Sequence, residues 1–100
     1  MFILHVEIPL KEGTAERMQK AYAEVYESVK QEQGCKAYKL TFTGDGKSAA
    51  FFEIWESDAD LAAHMEQSYI KTMLKKTAVY AAGKPTATRY DIESVTENAF

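Results

Sequence analysis

The stretch WESDADLAAH sets a histidine, His64, nine positions after an aromatic, Trp55. The indole closes a run with strand character. The histidine falls with Leu61 and Met65 on the inward side of a helical repeat, so the two can face one small pocket, floored by the strand and roofed by the helix. An unperturbed imidazole titrates near pH ~6.5, so a histidine in that place can move a proton or hold a ligand. The competing reading is packing, with His64 a hydrogen-bonded core residue. Trp55 divides in the same way, between a core aromatic and a flat wall whose indole N–H is aimed at a ligand oxygen.

Glu53 shares a strand face with Phe51 and Trp55 and so places a carboxylate between two bulky apolar side chains. A buried carboxylate needs a partner. Arg89 on the last strand or Lys39 on the neighbouring one can supply it, and otherwise Glu53 contacts a ligand. Phe51 lines the same wall. Tyr69 stands at the joint between two helical pieces, where a pocket mouth is expected. Cys35 has only Lys36 nearby to lower its pKa and reads as a small filler, not a nucleophile.

These side chains need a frame. FILHVEI is a strand with Phe2, Leu4, Val6 and Ile8 on one face and Ile3, His5 and Glu7 on the other; Pro9 should stop it. A helix follows, entered at Thr14 by a partial cap, with Met18, Tyr22, Val25 and Val29 along its apolar stripe and Gly34 at its end. CKAYKLTFT and AAFFEIWE, joined by GDGKS, form a hairpin. Ser57 and Asp60 make a short-armed capping box, and the helix after it is split in two. TATRYDIESV is the last strand and TENAF a tail. The order β-α-β-β-α-β predicts an α+β fold of the ferredoxin-like type, an antiparallel sheet with helices on one face, in a single domain over residues 1–100. Both faces of the strands are apolar, so the uncovered face calls for a second copy of the chain.

The net charge is −3 and no lysine or arginine stripe occurs, which argues against nucleic acid as a partner. One cysteine allows no internal disulfide and no paired zinc spacing. No apolar run reaches the roughly 20 residues of a membrane span, and the first residues lack the features of a leader peptide. The expectation is a reduced, cytoplasmic protein.

GCKAYKL after a long amphipathic helix, followed by FFEIWESDADLAAH, resembles the antibiotic biosynthesis monooxygenase (ABM) family. The likeness rests on Gly34, Cys35, Tyr38, Glu53, Trp55, Ser57, Leu61 and His64, and it spans nearly the whole chain. It implies a dimeric α+β barrel of two ferredoxin-like subunits. It also implies oxidation of a quinol or polyphenol by molecular oxygen without a metal or flavin cofactor. His64 would then be the base for a phenolic hydroxyl, with Trp55, Phe51 and Tyr69 shaping the pocket and Glu53 and His5 as further substrate contacts. Haem-degrading relatives carry an asparagine on the first strand; here the only asparagine is Asn98, and His5 can stand in its place or face the second subunit. The scaffold does not fix the chemistry. An isomerase or lyase acting on a small metabolite and a non-catalytic ligand-binding module are the alternatives.

Overall fold

A computed structural model describes residues 1–98. Its elements run β1 (Phe2–Pro9), α1 (Ala15–Lys30), β2 (Cys35–Phe42), β3 (Ser48–Trp55), α2 (Asp58–Glu66), α3 (Ser68–Ala78) and β4 (Thr86–Asp91). The strands form one antiparallel sheet in the order β2-β3-β1-β4. This is the α+β, ferredoxin-like arrangement expected from the alternation of strand and helix patterns.

Register decides which side chains share the helix-covered face. Glu53 lies between Tyr38 on β2 and Leu4 on β1, and Phe51 lies between Leu40 and Val6. Trp55 is opposite Phe2 on one side and Cys35 on the other. A bulge at Lys36 lets both Cys35 and Tyr38 meet the helix-facing residues of β3. Helix α1 seats Met18, Ala21, Val25 and Val29 against this face, and α3 adds Ile70, Met73 and Thr77. The core is built from Phe2, Val29, Tyr38, Phe51, Trp55 and Ile70 with their neighbours.

Several local expectations change. Thr14 stands at the N-cap of α1, yet its hydroxyl donates to the Lys11 carbonyl at 2.7 Å and makes no cap bond. Helix α1 ends at Lys30, ahead of Gly34, which closes the turn over residues 31–34. Gly34 has φ +78°, and a Cβ there would overlap the Asp60 carboxylate, so the turn and the start of α2 meet at a position only glycine fits. Ser57 caps α2 as expected, accepting from the Asp60 N–H at 3.2 Å. β4 stops at Asp91, short of Val95, where no strand remains to extend the pairing. Of the tail, Ala99 and Phe100 lie outside the described residues.

The other face of the sheet carries Ile3 and His5 from β1, Ala50, Phe52 and Ile54 from β3, and Tyr90 from β4, with no helix over it. Among the described residues no helix is long and apolar enough to cross a membrane.

Candidate active site

Nine residues make up α2, and His64 is the only one of them that is buried, at 3% exposure. A short helix normally docks through aliphatic side chains. This one docks through an imidazole, with Leu61 half-buried beside it. His64 packs against the Trp55 indole, ring centroids 4.7 Å apart, and edge-on to Tyr38 at 5.6 Å.

Its partner comes from the turn after α1. Nδ1 of His64 lies 2.8 Å from Oε1 of Glu32, and the Tyr69 hydroxyl donates to Oε2 of the same carboxylate at 2.6 Å. A carboxylate can only accept, so the ring hydrogen sits on Nδ1 and the lone pair of the neutral ring is at Nε2. Among the described residues Nε2 has no hydrogen-bond partner, yet no buried side-chain nitrogen or oxygen is left unpaired. Nε2 therefore meets accessible space. A cavity of about 230 Å³ lies between the sheet and the helices α2 and α3, and His64 lines it. Its floor is Leu4, Val6, Phe51 and Glu53, and Met65 and Leu74 stand at its rim with 43% exposure each.

Glu53 is buried, and its partner is neither Arg89 nor Lys39. Oε1 accepts the Trp55 indole N–H at 2.9 Å. Arg89 instead pairs with Asp58 and Asp91 and covers the Phe2 ring at 3.9 Å, tying β4 to the start of α2. Lys39 is opposite Phe52 on the outer face. Burial pushes the Glu53 carboxyl above the usual carboxylate range; the Trp55 hydrogen bond and nearby His64 pull it down, and Glu32 adds to the rise.

The six residues singled out from sequence are thus distributed unequally. His64, Phe51 and Glu53 line one cavity. Trp55 is wholly buried behind it, and its N–H is spent on Glu53 and not available to a ligand. Tyr69 does not line this cavity; it lies in a cleft between α1 and α3, and its hydroxyl is held by Glu32. Burial and that bond push the Tyr69 pKa up to about 12, so it remains a donor at neutral pH. His5 is on the opposite face of the sheet, with Nδ1 3.8 Å from Glu7, because it alternates with Leu4 and Val6. Cys35 is half-buried, and its thiol is pushed up by burial and by Glu32, as suits a filler. Glu32 was the residue missed. It stands outside any periodic element, and the one available signal was that a histidine on an inward helical face requires a partner.

A carboxylate that orients an imidazole whose second nitrogen opens on an apolar cavity is an arrangement suited to proton abstraction. The fold and this site define a class: small ferredoxin-like α+β proteins that close a histidine-bearing pocket between sheet and helices. Within that class, the chain belongs to the antibiotic biosynthesis monooxygenase family, whose model matches residues 1–76, from β1 into α3. Among solved structures, a candidate antibiotic biosynthesis monooxygenase of Nitrosomonas europaea is 20% identical, with a TM-score of 0.86 over 94% of this chain and 100% of that one. One from Caulobacter crescentus is 21% identical, with a TM-score of 0.86 over 93% and 90% of the two chains. A third, from Deinococcus radiodurans, is 14% identical and matches over 100% of both chains with a TM-score of 0.83. At these identities the likeness bears on the fold. No curated protein matches the chain.

Proposed function

We propose that this protein is a cofactor-independent monooxygenase acting on a small phenol or quinol, with His64 as the base. The observation that carries the reading is the Glu32–His64 pair, 2.8 Å apart, in which Nδ1 is held by the carboxylate while His64 lines an apolar cavity. Nε2 takes the hydroxyl proton of the substrate. The resulting phenolate passes one electron to molecular oxygen, the two radicals join at a ring carbon bearing hydrogen, and the peroxide anion so formed takes the proton back from Nε2 to give a hydroperoxide. Loss of water leaves a carbonyl there. The substrate supplies all four electrons, one oxygen atom enters the product, and the other leaves as water. The apolar walls keep the phenolate and the hydroperoxide from bulk water. In this reading a second copy of the chain covers the open face of the sheet around Phe52 and Ile54, as the family likeness and the apolar surface suggest.

The test is oxygen uptake by metal-stripped protein against a panel of quinols and polyphenols, with His64→Ala alongside. Uptake that depends on His64 is expected. Silence across the panel, or full activity in His64→Ala, would sink the reading. A second reading, an isomerase or lyase, is favoured by the presence of Glu53 and His64 in one cavity, an acid and a base facing the same space. Turnover of a small metabolite without oxygen would select it.

A further inference from the structure

Polar atoms are scarce in the His64 cavity. Most of its lining is aliphatic or thioether, and the Tyr38 hydroxyl is turned toward Met73 Sδ at 4.0 Å. That leaves His64 and Glu53. Both lie against the same indole: Glu53 Oε1 accepts its N–H at 2.9 Å, and the His64 ring packs tilted beside it with centroids 4.7 Å apart. The indole bond fixes the plane of the carboxyl group. Among the described residues Oε2 has no partner, and no buried side-chain oxygen is unsatisfied, so Oε2 meets accessible space, and the cavity is what Glu53 and His64 both line.

We infer that Glu53 is a second substrate-contacting residue, a neutral carboxylic acid whose O–H donates to another oxygen of an uncharged one- or two-ring phenol held by His64. The inference rests on the reading of this cavity as the substrate site. Size bounds the enclosed part of the ligand: a cavity of roughly 150 Å³ holds benzene, so 230 Å³ below the rim of Met65 and Leu74 takes one or two rings. Charge sets the rest. No lysine or arginine lines the cavity, so a carboxylate or phosphate on the ligand would leave water with no cation to offset the loss of its hydration. The neutral form of Glu53 accords with its burial, which raises its pKa above the ordinary range. The titratable groups facing it are His64 from α2, Glu32 from the turn, and Tyr38 and Cys35 from β2.

The single tryptophan, in contact with both residues, reports binding by its fluorescence. Titrations without oxygen would compare 1-naphthol with its 2-methoxy and 4-methoxy derivatives and with 4-hydroxy-1-naphthoate. One methoxy isomer should bind roughly tenfold tighter than 1-naphthol, the yield of one added hydrogen bond, and the naphthoate should bind weakest. Glu53→Gln keeps both an acceptor for Trp55 and an N–H donor for the ligand, so it should retain the methoxy preference and lose its dependence on pH. Glu53→Leu should abolish the preference. Equal binding of the naphthoate, no methoxy preference in the wild type, loss of preference in Glu53→Gln, or no binding of any naphthol would overturn the inference. Oxygen uptake plays no part in these titrations, so failure of the oxygenase reading shows separately.

Discussion

Glutamine at position 32 keeps the shape of the side chain and removes its charge. His64 Nδ1 and the Tyr69 hydroxyl both donate to the Glu32 carboxylate, at 2.8 and 2.6 Å. In Glu32→Gln the amide oxygen can hold His64 while the NH₂ turns to Tyr69, whose hydroxyl then accepts. Two charge-assisted bonds become neutral ones. Such bonds contribute roughly 1.5–3 kcal/mol against about 1 for neutral pairs, so the expected loss of stability is about 2 kcal/mol. For a chain of this size that lowers Tm by roughly 8–16 °C at fixed protein concentration. The larger effect falls on the proton. The amide can equally offer its NH₂ to Nδ1, which moves the ring hydrogen to Nε2 and blocks the base. Loss of the orienting carboxylate in the serine-protease triad lowers kcat roughly 10⁴-fold through the wrong tautomer, and a fall in kcat with little change in KM is expected here. The chain has two histidines, so imidazole ¹⁵N spectra resolve the matter without any substrate. Neutral His64 should carry its hydrogen on Nδ1 in the wild type and lose that preference in Glu32→Gln. A wild-type Nε2–H tautomer, or a variant unchanged in both tautomer and Tm, would refute the reasoning.

Three further outcomes follow from the same geometry. Because burial raises the Glu53 pKa, its proton stabilises the fold fully below about pH 4.3, and that contribution is lost as the pH rises toward the raised value. Glu53→Gln, which still accepts from Trp55, should therefore melt above the wild type at pH 7 and level with it at pH 4; a gain at both values would count against the burial argument. Gly34→Ala must adopt a positive φ at about 1–2 kcal/mol and displace Asp60, so Tm should drop by at least about 5 °C, and a melt within a degree or two of wild type would show that the turn adjusts freely. The second copy proposed over the open sheet face predicts a wild-type dimer and a Phe52→Asp monomer by light scattering, and a wild-type monomer or a Phe52→Asp dimer would count against it.

Much of the frame was readable because it depends on local periods. Alternation groups Leu4 with Val6 and Phe51 with Glu53, and GDGKS and Ser57 mark the hairpin and the helix start through turn and cap chemistry, while the β1–β3 register brings the two groups onto one face. The partners of the polar groups were not readable in the same way. Glu32 reaches His64 across a separation of 32 residues from an aperiodic turn, and nothing local encodes that meeting. Glu53 is the instructive case. The Trp55 indole, two places along its own strand, donates to one of its oxygens, and that i, i+2 spacing is legible in the sequence. The counter-charges the sequence makes available, Arg89 and Lys39, are spent elsewhere or face the other side. His5 shows the reverse: its parity with Ile3 and Glu7 already excluded it from the face that holds the cavity.

Helix α2 has no buried aliphatic anchor; its one buried residue is His64, bonded to Glu32 and packed against Trp55, with Leu61 half-buried beside it and Arg89 holding Asp58 at the surface. Scaffold and reagent are usually different groups. Here one imidazole is both, so the helix cannot lift away without carrying off the base and opening the wall of the cavity in the same movement. The sheet and α1 can remain folded while that happens, since the strands pair with one another directly and α1 packs its own apolar stripe on the sheet. Activity then reports the docking of nine residues and not the integrity of the whole chain, and on heating it should fade before the sheet melts.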